Sequence, residues 1–87
     1  MATIEEVKSE LMQAAGSGGQ AITQARAASE SMDRMIAQLQ VVAHGTNHPK
    51  VAEAVARAQQ CQQQLAQAVI LAQAATQAAH DYVAVLG

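Results

Sequence analysis

The sequence has no tryptophan and no phenylalanine, and Tyr82 is its only aromatic residue. The large rigid side chains that anchor most cores are missing, so any core must be built from aliphatics and alanine. Cys61 is the only cysteine. An intrachain disulfide is excluded, and the redox compartment stays open. Charge of either sign is sparse, with a formal net charge of −2. That balance lacks the basic footprint of a nucleic-acid binder, so no nucleic-acid partner is expected. No apolar run reaches the length of a membrane span, and the early charges do not lead into a signal-peptide core. Neither a membrane role nor general secretory export is expected. The expected location is the cytoplasm, with export by a specialised non-Sec system as the alternative.

Proline is equally scarce. Pro49 is the only one, and it lies in His44-Gly45-Thr46-Asn47-His48-Pro49-Lys50 at mid-chain. Gly45 can take a left-handed C-cap conformation without a side-chain penalty. Thr46 and Asn47 carry short polar groups that can cap free backbone N–H groups. Pro49 suits the first turn of a helix, and the residue before a proline is pushed out of the helical region. His48 is therefore expected to precede or cap a second helix. The turn residues Gly45, Thr46, Asn47, His48 and Pro49 thus join two antiparallel neighbours.

What the chain does have is apolar periodicity. Hydrophobic residues make up 51% of it, much of this alanine, and they recur every seven residues. In the first half one series is Ile4, Leu11, Gly18, Ala25, Met32 and Leu39. A second is Val7, Ala14, Ala21, Ala28, Met35 and Val42. Both are apolar or glycine throughout, which predicts a packed helical seam. The series Glu10, Ser17, Gln24, Ser31 and Gln38 is polar and predicts a wet edge. Thr3-Ile4-Glu5-Glu6 matches a capping box at the helix start. Gly16-Ser17-Gly18-Gly19 looks like a loop when taken alone, but the heptad phase runs through it without a slip. A continuous helix is favoured, with a true break as the alternative.

In the second half the predicted seam is Val51, Ala58, Leu65, Ala72, Ala79 and Leu86, with Ala54, Val55, Cys61, Ala68, Val69, Ala75, Tyr82 and Val83 beside it. Folding at the turn sets Met32 opposite Cys61, Gly18 opposite Ala75 and Leu11 opposite Tyr82. The pairs Glu30–Arg34 and Glu53–Arg57 stand at the favoured i,i+4 spacing. Ile22, Ile36, Val55, Val69, Leu71 and Val83 fall at the seam margins, and Ile70 lies farther round. A stripe that wide exceeds a two-helix contact, and these six residues are the candidate interface.

The expected architecture is all-α: one domain over residues 1–87, with a helix over about 3–43, a turn over 44–49 and a helix over about 49–86. Two such coiled-coil-like hairpins would form a four-helix bundle. No catalytic, cofactor-binding or metal site is expected. His44 and His48 have the spacing of a helical metal pair but straddle a turn. His80 and Asp81 are adjacent on a helix and point apart, and Cys61 has no activating histidine near it in sequence. The chain is expected not to be an enzyme.

A short alanine-rich helical hairpin with a mid-chain turn resembles the WXG100 or ESAT-6-like proteins. Ala43-His44-Gly45 carries the comparison, with the turn glycine kept and Ala43 where the family has tryptophan. The chain is also similar to small actinobacterial hairpin proteins and leader modules of polymorphic toxins. There the shared features are Gly45-Thr46-Asn47-His48-Pro49 and the ending Tyr82-Val83-Ala84-Val85-Leu86-Gly87. The resemblance implies a non-enzymatic protein–protein interaction module, an adaptor or partner linked to type VII-like secretion or toxin delivery. Its implied partner is a second copy or a related hairpin or toxin protein. The alternative is a purely structural homo-oligomerisation unit inside the cell.

Overall fold

The structure, a computed structural model, describes residues 2–87. It consists of two long helices, α1 over Ile4–His44 and α2 over Pro49–Leu86. They pack side by side as a hairpin measuring 63 × 19 × 14 Å.

Local chemistry sets each helix end. Thr3 is extended, and its hydroxyl oxygen accepts from the Glu6 backbone N–H at 3.1 Å, with Glu5 and Glu6 near the positive helix end. The far end of α1 differs from expectation. Gly45 has φ −97° and ψ −1°, a right-handed conformation. Its N–H donates to the Val42 carbonyl at 3.0 Å, so the helix ends by tightening its last turn. A left-handed glycine is not needed. Thr46 Oγ1 then accepts from the His48 N–H at 3.2 Å. His48, extended at φ −64° and ψ 127°, caps α2 by accepting the Lys50 N–H on Nδ1 at 3.1 Å. Pro49 begins α2, where its lack of an N–H costs nothing.

Helix α1 runs unbroken through Gly16-Ser17-Gly18-Gly19. The reason is visible at Gly18. A Cβ there would collide with Thr76 Oγ1 on α2, whereas Cβ atoms on Gly16 or Gly19 would meet nothing within 4 Å. Only the middle glycine serves a close approach.

The burial pattern fixes the seam. On α1, Leu11, Gly18, Ala25, Met32 and Leu39 are at least half-buried, as expected. The series that alternates with them is Lys8, Ala15, Ile22, Ser29, Ile36 and Ala43. In heptad notation these are the d and a positions. On α2 the d series is Val51, Ala58, Leu65, Ala72, Ala79 and Leu86, as expected, and the a series is Val55, Gln62, Val69, Thr76 and Val83. Three residues are the most deeply covered: Ala58 at 4% exposed, Ala15 at 7% and Ile36 at 9%.

This corrects the expected pairing. The series Val7 to Val42 is one residue out of the seam, and past Val7 every member is exposed. Gly18 meets Thr76, not Ala75, and Gln62 donates a hydrogen bond to Asp33 across the hairpin. Tyr82 is swung out of the seam and Val83 takes its place. The charged pairs also shift. Glu53 pairs with Lys50 at 3.2 Å, and Arg34 donates to Ser31 at 3.0 Å. These exposed contacts add little to stability.

Candidate protein-interaction face

The six residues expected at the seam margins do not share one environment. Ile22, Ile36, Val55, Val69 and Val83 lie within the seam between α1 and α2, with Ile36 buried and the others half-buried. Their apolar area is largely used inside the hairpin. Leu71 alone is left open, at 63% exposed. The turn residues Gly45 to Pro49 are all exposed and act as caps and connector.

A different apolar surface takes their place. Val7, Ala14, Ala21, Ala28, Met35 and Val42 occupy the g position of α1, immediately beside the seam. On α2 the g residues are Ala54, Cys61, Ala68, Ala75 and Tyr82. In an antiparallel pair the g positions of both helices lie on the same side. The structure bears this out, because Ala14 and Ala75 line one groove. One flank of the hairpin is therefore apolar along both helices, from Val42 by the turn to Tyr82 and Val7 at the far end. Leu71 and Val85 widen it on α2. The opposite flank is mixed, with Arg26, Asp33, Gln40, Gln59, Gln73 and His80 interspersed among Met12, Gly19, Ala52 and Ala66.

The face has relief. Toward the helix ends remote from the turn lies a groove of about 280 Å³, floored by Ala15, Gly18, Ala72, Thr76 and Ala79 and edged by Ala14 and Ala75. It exists because small residues meet on both helices there. Nearer the turn, Met35 stands out at 45% exposed.

Surface area shows how incomplete the hairpin is. A compact protein of 9.0 kDa exposes about 4,900 Å², and this chain exposes 6315 Å². Chemically the face can bury area against another apolar surface and little else. Among the described residues no group of three or more His, Cys, Asp or Glu is placed to hold a metal ion. Among them, too, no helix is long and apolar enough to cross a membrane. Cys61 is a free, half-buried thiol at the margin of the seam. No family model matches the chain, and neither does any curated protein or solved structure.

Proposed function

We propose that this chain is a non-enzymatic protein–protein interaction module, which docks through its apolar flank and associates with hairpins of its own kind into a four-helix bundle. The observation that carries the reading is the unbroken apolar g series on both helices, left open on one side of a hairpin whose other side is interrupted by Arg26, Asp33, Gln40, Gln59, Gln73 and His80. Exposed apolar surface of that extent marks an association site. The resemblance to WXG100-like hairpins supports the same reading and adds its setting: an adaptor or partner in specialised secretion or toxin delivery.

Sedimentation equilibrium across micromolar concentrations tests it. The wild type is expected to associate, and Met35→Lys to dissociate it by placing an unpaired charge in the contact. Val41→Lys, on the outer surface where Val41 is 76% exposed, is expected to change nothing. A chain that stays monomeric and thermally stable throughout, or whose association ignores Met35, overturns the reading.

A further inference from the structure

We infer that the end of the hairpin remote from the turn is a latch: residues 4–15 of α1 unzip from α2 as one unit, the run Gly16-Ser17-Gly18-Gly19 being the segment that yields, while the rest of the hairpin stays folded. Gly18 serves the contact with Thr76, but Gly16 and Gly19 meet nothing on α2. Each weakens the helix and gains no packing inside the hairpin. Their effect is to loosen the helical link between the first three turns of α1 and the remainder.

The fastening of residues 4–15 is slight. Before Ala15, which is buried beside the glycines, only Val7, Lys8 and Leu11 are half-buried. Ile4 and Met12, the other large apolar side chains of this arm, are exposed. Beyond the glycines, by contrast, Ile22, Met32, Ile36 and Leu39 lie in the seam, and Gln62 donates across it to Asp33. Among the described residues no hydrogen bond or ion pair joins residues 4–15 to α2. Charge supplies no substitute, because the arm carries Glu5, Glu6 and Glu10 and α2 has no Lys or Arg beyond Arg57. At the junction the groove of about 280 Å³ leaves Ala15, Ala72 and Ala79 short of contact atoms. A segment with few buried apolar contacts is where local opening comes most readily.

Once undocked, the arm has little to keep it helical. A helix of about twelve residues is marginal in water, and the Thr3 cap bonds the arm to itself, not to α2. Opening therefore melts the arm and the glycine run together, and it stops at Ile22, the first large seam residue beyond them. It bares Ala72, Ala79, Val83 and Leu86 of the α2 seam, next to Leu71 and Val85, which are exposed in the closed hairpin. The apolar surface at this end is thereby set by the latch and not by the closed fold alone.

Native-state hydrogen exchange tests the latch, read by mass spectrometry with residue-level fragmentation at dilutions where the chain is monomeric. Amides 8–15 are expected to exchange through one shared opening, at least about tenfold more populated than the opening that exposes amides 22–42. The step should fall across the glycines. Gly16→Ala and Gly19→Ala should each slow exchange of amides 8–15 about fivefold, the ratio that corresponds to the helix-propensity difference. Ile36→Val lies outside the latch. It should speed exchange of amides 22–42 severalfold and leave 8–15 unchanged, because Ile36 stays in the seam in both the closed and the opened state. Protection that rises smoothly from residue 8 without a step overturns the latch. So do glycine variants that leave amides 8–15 unmoved, or an Ile36→Val effect equal in both segments.

Discussion

Gly18 of α1 and Thr76 of α2 meet across the hairpin so closely that no Cβ fits at position 18 without displacing the threonine hydroxyl. Sixteen and 19 are different: added methyls there point into open space. In a continuous helix a glycine costs about 1 kcal/mol relative to alanine. Gly16→Ala and Gly19→Ala are therefore expected to stabilise the hairpin by up to about 1 kcal/mol each. Gly18→Ala should gain less than either, and Gly18→Leu should destabilise by about 1–3 kcal/mol through overpacking. Combining Gly18→Ala with Thr76→Ala should restore the propensity gain. Chemical denaturation of the set, read by circular dichroism, measures all of these. Equal gains at all three glycines would mean that Gly18 does not hold the helices together.

His48 is the first residue of the second arm to make a structural bond, through Nδ1 to the Lys50 N–H. An imidazole is an uncommon cap, but it does what Ser or Asp does elsewhere by satisfying one free donor of the first turn. His48→Ala should cost about 1 kcal/mol, and His48→Asn, which keeps an acceptor within reach, only a few tenths. Thermal melts of the two variants against wild type decide it, and identical melting of both would remove the cap from the account.

The helices, the turn and one seam series on each helix were legible from spacing alone. Leu11 to Leu39 and Val51 to Leu86 read correctly because every member is apolar or glycine and the phase never slips, whereas Ile4, the first of its series, lies open at the helix start, 58% exposed. The second series on each helix was not legible, for a physical reason. Each helix carries two apolar stripes side by side, and only one faces its intrachain partner. On α1 the true a series contains Lys8 and Ser29, and on α2 it contains Gln62 and Thr76, all at least half-buried. The g series beside it is purely apolar. Ranking by hydrophobicity therefore selects the flank and demotes Ile22, Ile36, Val55, Val69 and Val83 to margins. Hydrophobicity says that a stripe leaves water; it does not say which neighbour covers it. The Gly18–Thr76 contact fits that phase, and small-residue adjacency across a fold is not written in one helix's period.

The turn yields a prediction in which sequence and structure diverge. A left-handed Gly45 would resist alanine, whereas Gly45 at φ −97° accepts it, its nearest obstacle being the Val42 carbonyl at 3.7 Å. Gly45→Ala is thus expected to be neutral within about 0.5 kcal/mol. Replacing Gly45, Thr46, Asn47, His48 and Pro49 together with alanine removes the caps and the helix start, and should let α1 run into α2. Spin labels near Thr3 and Leu86 would then move far apart. If they stay close, the seam holds the hairpin without the turn.

Met35 and Ile36 are neighbours in sequence that serve different contacts, and this gives the sharpest separation of fold from association. Ile36 is buried between α1 and α2 at 9% exposed, while Met35 stands on the open flank at 45%. Ile36→Ala removes buried methylenes from a hairpin with few large core residues, and should destabilise it by about 2–5 kcal/mol. Much of the marginal stability of so small a domain would go with it. Met35→Ala removes nothing from the seam. It should leave the unfolding free energy of the dilute, monomeric chain within about 0.5 kcal/mol of wild type, while lowering the melting temperature only at concentrations where wild type associates. Melting followed across a hundredfold dilution separates the two effects. For Ile36→Ala the loss should persist at every concentration; for Met35→Ala it should vanish on dilution. A Met35→Ala loss that survives dilution would place Met35 in the fold itself and leave the flank without its anchor.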